Sequence, residues 1–311
     1  MSLSQGSNST IFSCFLLLAS LAIPSAVFAE QINSQAISQS LTATKVSTMT
    51  NSSNPKSKTI VFIHGMFMTP KAWDKWQTYF QEQGYTTIAP AWPLHDTPLV
   101  QQRTAKAQEI LGKLTLDEVI ESYRKEIKNL PEKPIVIGHS MGGLVAQKLL
   151  SEGLASKAVA IDSAPPSGLI VTKWSFIKSN WSVINPFISA KQAYYPSLKD
   201  FQYAFANCVS DAESEAMYND YIVPESRLVG RGTSSKIAKI DFSKPHAPLL
   251  MIAGEKDHII PAALNRKNFN KYSDTSSVRI FKQFDGQCHA LIVDKKWKDV
   301  ASYIGIWLDK H

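Results

Sequence analysis

The sequence predicts an α/β fold: a mostly parallel, twisted sheet flanked by helices, with a helical lid inserted after a strand that ends near Ile161. Three observations carry this reading. Short β-rich apolar runs alternate with stretches of helical periodicity, which implies βαβ units wound right-handed. The runs are continuously apolar, as in strands covered on both faces. A long aromatic-rich stretch between residues 165 and 245 interrupts the alternation.

The elements follow in order. Thr59–Ile63 is the first apolar run and ends at His64-Gly65. Residues 70–83 hold Trp73, Trp76 and Phe80 at i, i+3 and i+7, with Gly84 as a stop signal, and are expected to be helical. A strand is expected over 85–91, helices near 100–111 and 116–130, and a strand over 134–137. A helix over 144–151 ends near Gly153, and residues 157–161 form the next strand. After the interruption come a strand at 248–253, a helix near 262–272, a strand at 278–284 and a closing amphipathic helix over 296–308. The interruption contains 12 of the chain's 31 aromatic residues and is expected to form the lid. The core then comprises residues 58–164 and 246–311.

Composition excludes several classes. The chain has 311 residues, 44% hydrophobic and 19% charged, which excludes disorder and a coiled coil. Three cysteines exclude a disulfide-dense scaffold and a four-cysteine zinc site. The net charge is +7, but the Lys and Arg are scattered, so no nucleic-acid partner is expected and a membrane surface is the lesser alternative.

The N-terminus reads as an address. Residues 1–29 contain no Asp, Glu, Lys or Arg, Ile11–Phe28 is mostly apolar, and Val27 and Ala29 fit a signal-peptide cleavage pattern. Export with cleavage near Ala29 is expected, with an uncleaved membrane anchor as the alternative. Residues 30–57, rich in Ser, Thr, Asn and Gln, read as a polar tether in which 37–46 alternates weakly as an edge strand would. Cleavage leaves Cys208 and Cys288, which are expected as two buried thiols, although an oxidising compartment would allow them to pair.

The chemistry falls on three loops. Gly138-His139-Ser140-Met141-Gly142 is a G-x-S-x-G sequence between a strand and a helix. A tight turn there lifts the Ser140 hydroxyl above the sheet, and the helix aims its free N–H groups and positive end at the reacting centre. His64-Gly65-Met66-Phe67 follows the first strand. Gly65 is expected to let the backbone turn, so that the Met66 N–H joins that of Met141 as an oxyanion hole. The His64 side chain is expected to prop the loop. Asp257 and His289 follow the last two strands, in the chain order Ser, Asp, His. Ser140 needs His289 as base, and His289 needs an acid to fix its tautomer. His258 is the rival base and Glu255 and Asp162 are rival acids; His139 is expected to point away from the nucleophile.

With these motifs the chain resembles an α/β-hydrolase-fold protein of the lidded serine-hydrolase type, from about Lys58 to the C-terminus. The resemblance implies that the lid covers Ser140. The early antiparallel strands are not obvious in 30–57, so the sheet is expected to be short on that edge. The expected activity is hydrolysis of carboxylic esters with an apolar portion, as in a carboxylesterase, lipase or lysophospholipase. Phe67, Trp174 and Trp181 are candidate substrate contacts. The same triad serves amide or C–C bond hydrolysis and cofactor-free perhydrolysis, and a non-enzymatic ligand-binding protein on this fold is a further alternative. No H-E-x-x-H, G-x-x-x-x-G-K-[ST] or G-x-G-x-x-G sequence occurs, so no metal or cofactor is expected.

Overall fold

The computed structural model describes residues 57–311. The signal peptide, the cleavage point near Ala29, the strand over 37–46 and nearly all of the tether lie outside the described residues. The tether's expected last residue, Ser57, already belongs to the core: it is buried and its hydroxyl donates to Glu132 Oε1 at 2.9 Å.

Six strands form one parallel sheet: β1 (Thr59–Ile63), β2 (Thr86–Ile88), β3 (Ile135–His139), β4 (Lys157–Ile161), β7 (Leu249–Gly254) and β8 (Arg279–Phe284). Two short strands, β5 (Ala193–Tyr194) and β6 (Glu225–Ser226), pair antiparallel elsewhere. The order in the main sheet is β2-β1-β3-β4-β7-β8. Among the described residues the sheet therefore ends at the three-residue β2 on one side. Register runs from Phe62 opposite Ile137, through Ile137 opposite Val159, to Met251 opposite Phe281. β1, β3, β4 and β7 are fully buried apart from half-buried Thr59, which is why their sequences lack alternation.

The core helices are α1 (Asp74–Gln81), α4 (Leu116–Lys128), α5 (Met141–Ser151), α10 (Ala262–Phe269) and α11 (Trp297–Lys310), with the short α2 (Leu99–Gln102) and α3 (Ala105–Leu111) between β2 and α4. The amphipathic α4 opens on a reciprocal capping box between Thr115 and Glu118. α5 packs against β1, β3 and β4, and it is apolar almost all round because the sheet and its neighbours enclose it. The Trp73, Trp76 and Phe80 stripe is fully buried, and Trp76 Nε1 donates to the Ile292 carbonyl at 2.8 Å.

Between β4 and β7 the chain forms an insert of four helices: α6 (Trp174–Ile184), α7 (Leu198–Ala204), α8 (Asp211–Tyr221) and α9 (Arg227–Gly232). Its own core includes Phe201, Phe205, Val229 and Ile222. The expectation of two free thiols is corrected here. Cys208 of the insert and Cys288 of the core form a disulfide, with Cα atoms 5.6 Å apart. Eighty residues separate them in sequence, and only the fold brings them together.

Candidate active site

The sheet order reverses between β1 and β3, and open α/β sheets place their sites in that crevice. Ser140 lies there, between β3 and α5, at φ 56° and ψ −119°. This is a rare conformation for a side chain with a Cβ, and the surroundings hold it. The Ser140 N–H donates to Ile161 O at 2.9 Å, and its carbonyl accepts from Gly143 and Ala164 N–H. A Cβ on Gly138 would lie 2.0 Å from Gly142 O, and one on Gly142 would lie 2.1 Å from Ile63 O. The two glycines let strand and helix close on each other around the serine.

Gly65 serves a different purpose from the turn expected of it. The residue of its loop in the left-handed region is Phe67, at φ 66°. Gly65 is needed for space, because a Cβ there would meet Ser140 Cβ at 2.8 Å. Met66 and Met141 line the same cavity as Ser140. Met141 is the first residue of α5, where an N–H has no partner within the helix. His64 props this loop: its Nε2 accepts the Trp92 N–H at 3.2 Å, its Nδ1 donates to Gly65 O at 3.0 Å, and its ring stacks on Trp92. Burial, with His95 nearby, holds His64 neutral.

Asp257 and His289 meet. His289 Nδ1 lies 2.6 Å from Asp257 Oδ2, and both side chains are fully buried. The other Asp257 oxygen accepts the N–H groups of Ile259 and Ile260 at 2.7 and 2.9 Å. The carboxylate is thus fixed by three donors, and the imidazole is fixed with its Nδ1 occupied. His289 Nε2 is buried with no protein partner among the described residues. The ring is held against the residue preceding Ser140: the His139 and His289 centroids are 4.6 Å apart. His139 Nε2 donates to the His289 carbonyl at 2.9 Å. His139 thus braces the loop of His289. Burial holds His139 neutral, with His289 acting in the same direction.

The rivals are engaged elsewhere. His258 Nδ1 bonds to the Tyr203 carbonyl at 2.8 Å. Glu255 accepts the Gly286 N–H at 2.7 Å near the surface. Asp162, at φ 41°, is fully buried behind the pair. Its Oδ1 accepts the Gly254 N–H at 2.7 Å, and its Oδ2 is buried without a hydrogen-bond partner among the described residues. Burial, then the Asp257 charge, pushes Asp162 well above the usual carboxylate range. His139, Asp162 and His289 offer nitrogen and oxygen atoms within 4.8 Å of one another. His139 Nε2 and Asp162 Oδ1 are engaged by the His289 carbonyl and the Gly254 N–H, while His139 Nδ1, Asp162 Oδ2 and His289 Nε2 are buried without a hydrogen-bond partner among the described residues.

Core and insert enclose a predominantly apolar cavity that opens to solvent beside Ser140. Phe67 lines it and meets Tyr194 and Phe205 edge-on. Phe205 also lies edge-on to the His289 ring at 5.1 Å, so one side chain joins the cavity to that imidazole. Trp174 and Trp181, expected as substrate contacts, are 72% and 48% exposed and do not line the cavity. The face of α6 that does carries Phe176, Ser179, Asn180, Val183 and Ile184. These residues fall at i, i+3, i+4, i+7 and i+8, a stripe visible in the sequence. The two tryptophans lie seven residues apart on another stripe, and picking them by size alone missed this.

The model of the alpha/beta hydrolase family matches residues 60–278. A monoacylglycerol lipase from Paleococcus ferrophilus superposes with a TM-score of 0.59 at 20% identity, covering 81% of this chain and 95% of that one. An extracellular alpha/beta-hydrolase from a Paenibacillus species gives 0.57 at 21% identity, covering 79% and 97%. A methylesterase from Arabidopsis gives 0.57 at 12% identity, covering 81% and 99%. No curated protein sequence matches the chain. At these identities the structural likeness speaks for the fold, and together with the family match over most of the core it establishes that the chain belongs to the alpha/beta hydrolase family.

Proposed function

We propose that this hydrolase is a serine esterase that cleaves carboxylic esters with an apolar portion. The observation that carries the reading is the 2.6 Å contact between Asp257 and His289, with His289 braced against the elbow that bears Ser140. His289 Nε2 takes the Ser140 proton as Oγ attacks the ester carbonyl. The tetrahedral oxyanion is received by the Met66 and Met141 N–H groups, each worth roughly 3 kcal/mol in the transition state. His289 returns the proton to the leaving alcohol, and a water deprotonated by His289 then releases the acid from Ser140. Asp257 holds the imidazole in the required tautomer and stabilises its cation.

The apolar lining from Phe67, Phe176, Val183 and Phe205 favours an acyl or alcohol group with little polarity. Two of the proteins similar in fold, a lipase and a methylesterase, are named for ester chemistry. In this reading the insert is the lid. The disulfide supports export, since such bonds persist in oxidising compartments.

The test is labelling with a fluorophosphonate, followed by a panel of p-nitrophenyl esters of rising chain length. Labelling is expected at Ser140 and is abolished in Ser140→Ala, and turnover is expected to fall by at least about a thousandfold in that variant. A folded protein that takes no label and turns over no ester removes the proposal.

A further inference from the structure

We infer that the insert segment Tyr203–Cys208 is a positioning strap for the acid and the base, with the Cys208–Cys288 disulfide as its covalent lock. The inference rests on the reading of Asp257 and His289 as that pair. What carries it is that each of the two is bracketed, on both sides in sequence, by residues tied to this one segment. Before Asp257, the Lys256 carbonyl accepts from Asn207 Nδ2 at 2.8 Å. After it, His258 Nδ1 bonds to the Tyr203 carbonyl at 2.8 Å. Before His289, Cys288 is bonded to Cys208. After it, the Ala290 N–H donates to the Phe205 carbonyl at 2.9 Å. Between these anchors the Phe205 ring meets the His289 ring edge-on.

The physical consequence is a geometric lock. Asp257 and His289 sit on loops after two different strands; beyond the strand ends these loops are tied to each other by Lys256 N–H to Gln287 O at 2.7 Å and Gly286 N–H to Glu255 Oε2 at 2.7 Å, and the strap adds its own fastenings to both. Their mutual distance depends on what spans the two loops beyond the strand ends. A six-residue segment fastened at four points does so, and one fastening is covalent. Proton transfer is steep in distance, so a shift of a fraction of an ångström in His289 is felt in turnover rather than in substrate binding. Ala204 and Phe205 of the strap also line the cavity, so kcat and KM must be read separately; the wall formed by α6 is not part of the strap.

The experiment uses the full chain in three states: oxidised, reduced with a dithiol that converts the disulfide to two thiols, and Cys208→Ala/Cys288→Ala. Asn207→Ala is a fourth that leaves the disulfide intact. All are assayed at a temperature where near-ultraviolet circular dichroism shows the native fold, and rates are normalised to fluorophosphonate-titrated sites. Reduction and the double substitution are expected to lower kcat on the order of tenfold, with KM changed by less than about twofold. Reductant is expected to leave the double variant unchanged, and Asn207→Ala to show a smaller loss of the same kind. A readout that needs no substrate is the far-downfield proton resonance of the His289–Asp257 hydrogen bond, which is expected to broaden or vanish on reduction. Equal kcat and an unaltered resonance in oxidised and reduced protein overturn the strap. Absence of labelling in the oxidised wild type counts instead against the esterase reading, and the resonance still decides the strap.

Discussion

Asp162 presents a buried carboxyl with no cation beside it. One oxygen accepts the Gly254 N–H and the other faces Asp257. Two adjacent buried carboxylates are costly, so burial and the neighbouring Asp257 make Asp162 hold its proton well above the usual carboxylate range, and that proton is available to the Asp257 side. Asp162→Asn keeps a donor of nearly the same shape, and kcat is expected to stay within about threefold of wild type. Asp162→Ala leaves a buried acceptor unpaired, at a cost of about 1–3 kcal/mol, and kcat is expected to fall roughly tenfold or more. Stability gives a second check. The folded state holds the Asp162 proton more tightly than the unfolded chain does, so wild type loses stability as pH rises above about 4, the unfolded value. Asp162→Asn lacks that loss. Its melting temperature is expected to exceed wild type's at pH 8, with the difference shrinking toward pH 4; a gap independent of pH would show Asp162 to be ionised in the fold. Sequence reasoning could name Ser140, Asp257 and His289, because residue type, chain order and strand-end position all constrain them. It could not show that Asp162 leans on Asp257 or that His139 braces His289. Those contacts join residues 95 and 150 positions apart and leave no local pattern.

At the scale of elements, β1, β3, β4 and β7 are legible as mostly apolar runs and α1, α4 and α11 as 3.6-residue stripes, whereas Thr86 and Thr87 of β2 and Arg279, Lys282 and Gln283 of β8 interrupt theirs. Inside the insert, only the direction in which α6 faces decides function. Trp174→Ala and Trp181→Ala alter an exposed face, so kcat/KM for a soluble short-chain ester is expected to stay within about twofold of wild type. The inner face is intolerant. Gly230 of α9 lies where a Cβ would be 2.4 Å from Val183 Cγ1 of α6 and 3.3 Å from Met66 Cε. In an exposed helix, Gly→Ala adds about 1 kcal/mol of stability. Here the methyl group must push α6 away from α9 and intrude on the cavity that Gly230, Val183 and Met66 all line. Gly230→Ala is expected to lower the melting temperature and to raise KM several-fold for long-chain esters more than for acetate esters. An ester panel run on both proteins measures this.

At the scale of the whole molecule, insert and core are joined by buried polar contacts whose strength depends on pH. His95 Nε2 of the core lies 3.1 Å from Glu225 Oε2 of β6, with both side chains fully buried. His95 packs on Trp92 and on His64, which props the loop carrying Met66. The groups facing His95 are Glu225, Asp96 and the neutral His64. Burial alone would pull His95 down, but the Glu225 charge and hydrogen bond, with smaller help from Pro93 O and Asp96, outweigh it, and His95 is raised above its ordinary value. The sign follows. A histidine that binds its proton more tightly when folded stabilises the fold fully below about pH 6.5, and that contribution is lost as pH rises through the higher folded value. Glu225→Gln removes the charge while keeping an acceptor. The melting temperature of the variant is expected to lie furthest below wild type's at pH 5.5, by the equivalent of about 3 kcal/mol, and the two curves are expected to converge toward pH 9. Because the pair clasps the insert beside the loop that carries Met66 and Phe67, which line the cavity, Glu225→Gln is also expected to raise KM at pH 5.5 more than at pH 9. A stability gap of equal size across this range would mean that His95 stays neutral and that Glu225 merely accepts a hydrogen bond, and the clasp would then carry no pH dependence.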